Sequence, residues 1–260
     1  MHIDEANLVN LTGLWKKYGS KSIAGNESSK GHINKHWPHR CWFDINKNDA
    51  SFMMSGHFSN TTWLDNIPES TVLPVWFVGS EKERRGTGII EPQLIEKLLL
   101  EKKWSCTFEQ TAMYLELKGT AVCSDLARPG FQVLPVHSPE NIKEWVDIGS
   151  EAFAYAIDPF VIENLINDRD IQMYLGWQDG QAVAAALLYK THDIIGIHQV
   201  GVKQAFQGQG IARCFMLHII EACKQWQAKY LVLQASQLGQ PLYESLGFTE
   251  QFIIKNYCRV

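Results

Sequence analysis

No apolar run in this chain approaches the ~20 residues needed to span a bilayer, and no charged-then-apolar leader stands at its start. The cytoplasm is therefore the expected compartment, with no membrane partner. The six cysteines (Cys41, Cys106, Cys123, Cys214, Cys223 and Cys258) include no C-x-x-C pair, so they read as reduced packing residues. Without a leader, the sequons at Asn26 and Asn60 carry no weight as glycosylation sites. Basic residues are scattered: 24 Lys and Arg against 28 Asp and Glu give a net charge of −4. The first 130 residues balance at 15 of each sign, leaving 9 basic and 13 acidic beyond them. That distribution argues against a nucleic-acid partner. The acidic excess suits a cationic amine substrate, and equally well ordinary solubilising charge. Also missing are the Gly-Lys-Ser/Thr ending of a nucleotide-triphosphate loop and the Gly-x-Gly-x-x-Gly of a dinucleotide fold. His32, His36 and His39 have the spacing of metal ligands on a helix. Pro38 interrupts that helix, however, and neither Cys41 nor Asp44 completes a set, so no metal is expected.

What remains is a soluble-globular composition, 45% hydrophobic and 20% charged, with length enough for one large domain or two of ordinary size. Its most informative stretch is Gln207-Gly208-Gln209-Gly210-Ile211-Ala212. The β-branched run from Ile194 to Val202 precedes it, and a helically spaced set (Phe215, Leu217, Ile219, Ile220, Trp226) follows. A glycine-bearing loop that opens a helix presents unpaired amides and the positive end of the helix dipole to an anion. The order of strand, loop and helix thus predicts a bound diphosphate.

With the later Leu242-Tyr243-Glu244-Ser245-Leu246-Gly247-Phe248, this loop resembles the GNAT superfamily of acyl-CoA-dependent N-acyltransferases. The lead-in Val200-Gly201-Val202 and the run from Leu231 to Ser236 fit the same family, and the resemblance spans about Phe131 to Tyr257. It implies an α+β fold: a mixed, mostly antiparallel sheet flanked by helices, preceded here by a second α/β half. The expected division is a first domain over 1–125 and a GNAT domain over 130–260, with a linker around Ser124 to Gly130. In the second half the patterning predicts strands at Phe131–Val136, Ile171–Trp177, Ala182–Tyr189, Ile194–Val202, Tyr230–Ala235 and from Phe252. Helices are expected at Pro139–Phe153, Pro159–Asp168, Ile211–Trp226 and Pro241–Leu246, with a turn at Asp179-Gly180. The first half offers aromatic-rich short runs at Cys41–Phe43, Ser51–Met54 and Val72–Val78, and a helix at Pro92–Lys103. Within it, Arg85-Gly86-Thr87-Gly88-Ile89 echoes the second-half loop and suggests a degenerate copy of the same fold, although no second Tyr-x-x-x-Gly-Phe follows.

Acetyl transfer to an amine needs an uncharged amine, a stabilised oxyanion and a proton for the leaving thiolate. The resemblance implies that the backbone of Val200 and Val202 pairs with the pantetheine arm. It also implies that the amides of Gln207, Gly208, Gln209, Gly210, Ile211 and Ala212 hold the diphosphate. Tyr243 occupies the family's tyrosine, as general acid or as a packing group beside the arm. His198, on the strand entering the loop, is the candidate base, since no carboxylate lies between Ile194 and Lys203; a packed core histidine is the alternative. Gln234 and Ser236 are candidates for the substrate channel, with turn chemistry as the competing role of Ser236. Trp37 and Arg40 offer an aromatic wall and an anion-reading fork for an acceptor pocket, or simply first-half core.

The expected activity is transfer of acetyl from acetyl-CoA, as co-substrate, to a primary amine or amino acid by direct attack, with a small molecule favoured and no metal. A catalytically silent acyl-CoA sensor is the alternative. The expected assembly is a monomer or homodimer.

Overall fold

From Phe131 onward, β-branched runs alternate with amphipathic ones, and the chain folds accordingly. The computed structural model describes residues 2–23, 31–43, 62–76, 92–117 and 128–259. They fall into two compact units. The first holds Met1–Met113, Gln234–Gln240 and Glu250–Val260; the second holds Tyr114–Leu233 and Pro241–Thr249.

In the first unit come α1 (Ile3–Lys17), β1 (Lys21–Ile23), β2 (Gly31–Ile33), β3 (Cys41–Phe43), α2 (Thr62–Asp65), β4 (Leu73–Trp76) and α3 (Pro92–Glu101). Strand β5 (Trp104–Glu116) continues into the second unit. Strands β1, β2 and β3 form a small antiparallel sheet. Helix α1 buries Ala6, Leu8, Leu11, Leu14 and Trp15 together with Asn7, Asn10 and Thr12. The buried Asn7 amide is satisfied: its Nδ2 donates to the Met113 backbone carbonyl at 3.2 Å and to Gln251 Oε1 at 2.6 Å.

In the second unit come β6 (Phe131–Pro135), α4 (Pro139–Phe153), α5 (Pro159–Glu163), β7 (Ile171–Gln178), β8 (Gln181–Thr191), β9 (Ile194–Val202) and α6 (Ile211–Gln225). Strands β10 (Tyr230–Ser236) and β11 (Thr249–Arg259) are divided between the units, and α7 (Gln240–Ser245) lies between them in sequence. The strand order in this unit is β10-β9-β8-β7-β6, antiparallel except for the parallel β10–β9 pair. In the first unit β4 pairs antiparallel with β11. The fold class is therefore mixed α+β, with a mostly antiparallel sheet flanked by helices.

Opposite faces of β8 receive different helices. A Cβ on Gly201, the partner of Ala185, would come within 2.8 Å of Ala152 on α4. Gly176, the partner of Ala184, faces Phe215 of α6. Adjacent residues of a strand point to opposite sides, so α4 and α6 cover the two faces. Burial on both sides explains why β8 reads as an apolar run rather than an alternation.

Most boundaries expected in the second half agree with this structure. Helix α5 is shorter than its pattern suggests and ends at Glu163, because Leu165, Ile166 and Asp168 bond back three residues in tight turns. The histidine helix does not form. His32 lies in β2 and residues 35–38 are bends and turns, and no metal-holding cluster exists among the described residues. Three expectations lie outside the described residues: the Arg85–Ile89 echo, the run at Ser51–Met54 and most of the linker.

Candidate active site

Strand β9 bends before it reaches the glycine loop. Ala185 pairs with Gly201 and Leu187 with His198, so two steps along β8 oppose three along β9. The extra residue is a β-bulge, and Gln199 takes φ +52°, a left-handed conformation that re-aims the backbone after it. Tyr155 OH donates to Gln199 Oε1 at 3.1 Å. The parallel register with β10 covers only Ile194 to Gly196, so Val200 and Val202 follow the bulge on a stretch without a β10 partner in that register. His198 is buried immediately before the bulge.

Past Val202, a 3₁₀ turn over Gln204–Phe206 is anchored by Glu151, whose Oε1 accepts the Gln204 amide at 2.7 Å. Gln207 Nε2 donates to the Val202 carbonyl at 3.0 Å, and Gln209 Nε2 to the Ala205 carbonyl at 3.0 Å. Gly208 and Gly210 have φ +73° and +77°, where a side chain would be strained. Gly210 caps α6 without a side-chain hydrogen bond, and the first turn carries no acid. Ile211 seats this end in the core, and Ala212 is half-buried. Among the described residues, the amides from Gly208 to Arg213 have no protein acceptor, whereas the Gln207 amide, expected among the diphosphate donors, donates to the Gln204 carbonyl at 3.2 Å. Six donors at the positive end of a helix are suited to an anion.

Tyr243, on α7, is buried with its ring edge-on to Phe248 at 5.8 Å. Burial pushes its phenol up to about 12, so the group is a proton donor throughout the physiological range. Arg213 Nη1 donates to Ser245 Oγ at 2.9 Å, which ties the first turn of α6 to α7. Burial also raises the Cys214 thiol one turn along, with Arg128 opposing.

The second unit thus carries Tyr243, His198, Val200, Val202 and the whole loop. The remaining candidates lie in the first unit. Gln234 Nε2 donates to Asn7 Oδ1 at 2.6 Å, and Ser236 Oγ accepts the Gly239 amide at 3.2 Å, which is turn chemistry. Trp37 is buried, its ring 4.8 Å from that of Tyr18. Arg40 donates to Asn256 Oδ1 at 3.0 Å and lies 5.0 Å from the centre of the Trp15 ring. The sequence reading missed Arg128, whose Nη1 donates to the Gln209 carbonyl at 2.7 Å. In the sequence it stands only within the expected linker, and its adjoining Pro-Gly pair is the one available signal of a fixed turn.

A bulged strand that runs into an amide-lined loop, with a protonated tyrosine in the same unit, is suited to an anionic ligand and to proton donation. Residues 133–255 match the family model described as acetyltransferase (GNAT) domain, and the second half of this chain is a GNAT acetyltransferase domain. No curated protein matches the chain. Among solved structures, a GCN5-related N-acetyltransferase from Kribbella flavida is similar over 98% of this chain and 94% of its own, at 14% identity and TM-score 0.65. A GCN5-related N-acetyltransferase from Sphaerobacter thermophilus aligns over 88% of this chain and 76% of its own, at 12% identity and TM-score 0.61. A tandem GNAT protein from the clavulanic acid biosynthesis pathway aligns over 90% and 80%, at 11% identity and TM-score 0.59. At these identities the likeness is one of fold.

Proposed function

We propose that this chain is a cytoplasmic N-acetyltransferase that moves acetyl from acetyl-CoA directly to a primary amine, a small molecule in preference to a protein. The run of unpaired amides from Gly208 to Arg213 carries this reading, because it fits a diphosphate. The surroundings fit too: a Cβ on Gly208 would meet nothing within 4 Å, so the loop is open to a ligand. When bound, acyl-CoA supplies an activated thioester. The backbone of Val200 and Val202 orients the donor's arm after the bulge. Tyr243 holds the proton that the departing sulfur needs, and His198 takes the proton that the amine must lose. Acceptor binding is assigned to Gln234, Ser236, Trp37 and Arg40. We read residues 1–125 as a degenerate copy of the fold and 130–260 as the catalytic domain. The tandem GNAT relative, aligned over most of this chain, supports that division.

The test is release of free thiol from acetyl-CoA against a panel of amines, amino acids and peptides, with wild type and Tyr243→Phe. Turnover with one amine class, reduced at least about tenfold in the variant, is the expected result. Binding of CoA without turnover on any acceptor would instead make the protein an acyl-CoA sensor.

A further inference from the structure

Arg128 lies outside the glycine loop motif, yet it is built into the same place. Arg128-Pro129-Gly130-Phe131 closes a tight turn, with the Phe131 amide donating to the Arg128 carbonyl at 3.1 Å and Gly130 at φ +69°. Proline at the second position and a left-handed glycine at the third suit a type II turn. The turn is locked onto the β7–β8 hairpin: Asp179 N donates to the Gly130 carbonyl at 2.8 Å, and Gln178 Nε2 to the Pro129 carbonyl at 3.1 Å. From this base the guanidinium is held at two points. Its Nε donates to Gln178 Oε1 at 2.7 Å and its Nη1 to the Gln209 carbonyl at 2.7 Å.

The second bond fixes a peptide plane. In a trans peptide the carbonyl of Gln209 and the amide of Gly210 point in opposite directions, so a carbonyl held by Arg128 turns the Gly210 N–H to the other face. Gly210 has no Cβ to restrict this rotation, and glycine leaves the plane free to turn unless something outside the loop holds it. We infer that Arg128 is a positioning residue for the diphosphate site, orienting the Gly210 amide through the Gln209 carbonyl while Gln178 braces the guanidinium. The inference rests on the acyl-CoA reading above.

Calorimetric titration of CoA into wild type, Arg128→Met and Gln178→Leu tests it, together with the amide NMR signal of Gly210. A charge-assisted hydrogen bond of ordinary strength corresponds to about tenfold or more in affinity. Arg128→Met is expected to weaken CoA binding by about that factor and to displace the Gly210 signal in the ligand-free protein. Gln178→Leu, which keeps the charge and removes the brace, is expected to shift both in the same direction by a smaller factor. Failure of wild type to bind CoA would overturn the acyl-CoA reading itself. Tight binding by wild type and Arg128→Met alike would overturn the role of Arg128 alone. Weakening in Arg128→Met with Gln178→Leu and the Gly210 signal unchanged would show an action by charge, and positioning would fail. If Arg128→Met does not fold, Arg128→Lys and Gln178→Leu carry the same comparison.

Discussion

Tyr243 and His198 divide the proton traffic of the proposed reaction, and the two roles predict different pH behaviour. Because burial holds the Tyr243 phenol at about 12, deprotonation of this residue should produce no fall in kcat below about pH 11. A tyrosine-dependent loss of rate nearer pH 9 would remove Tyr243 from the acid role. His198 is needed only while the amine arrives protonated. With an alkyl amine pKa near ~10, His198→Gln should cost about 10²-fold in kcat/KM at pH 7 and progressively less as pH approaches 10. A deficit that stays constant across that range would make His198 a packing residue. Tyr243 was legible because a motif names its position. Arg128 was not, since its two side-chain partners lie 50 and 81 residues away and nothing local encodes them.

The hinge of the site, at the scale of elements, is the contact of β9 with α4. Gly201 has Ala152 Cβ 2.8 Å from where its own Cβ would stand, with the Ile148 carbonyl 3.8 Å away. The Phe153 ring edge, at 3.7 Å, is in ordinary contact, but the Ala152 Cβ is fixed to the helix backbone and cannot swing aside. Gly201→Ala should therefore cost about 1–3 kcal/mol in urea unfolding and, by pushing β9 off α4 beside Val200 and Val202, raise the KM for acetyl-CoA. An unchanged midpoint together with an unchanged KM would show that the two elements separate freely. The glycine was visible in the sequence, but its reason was not, because Ala152 is brought there by a helix some fifty residues earlier. Patterning found α4 and α6, whose apolar stripes are clean, and the turn at Asp179-Gly180, whose left-handed residues suit a tight hairpin. It failed at α1, where Asn7, Asn10 and Thr12 are buried beside the apolar residues and blur the stripe. Strand β5 escaped for a similar reason: exposed and buried residues follow one another without strict alternation.

Across the whole molecule, buried thiols and phenols make stability depend on alkaline pH. Burial pushes Cys41 in the first unit up to about 12, as it does Tyr243 in the second. Cys223 is raised further by burial, and Tyr257 by burial and by its hydrogen bond to Glu96. Each of these groups binds its proton more tightly folded than unfolded. Their contribution is therefore complete below the unfolded values of about 8.5 for Cys and about 10 for Tyr, and is lost as pH rises through the folded ones. Glu96 has the opposite sign: burial works against its charge, but hydrogen bonds from Lys255 and Tyr257 prevail and lower its pKa. Its contribution is present above the usual carboxylate range and fades in acid. Between these limits the melting temperature should be nearly flat from about pH 6 to 8. Above about pH 9 it should fall with increasing slope, each proton retained only by the folded state removing about 1.4 kcal/mol per pH unit. Tyr243→Phe removes one such proton, so its melting curve should fall less steeply than wild type between about pH 10 and 12. Parallel curves for the two proteins over that interval would mean that the phenol ionises in the folded state as readily as in water, and its assignment as a buried acid would go with it.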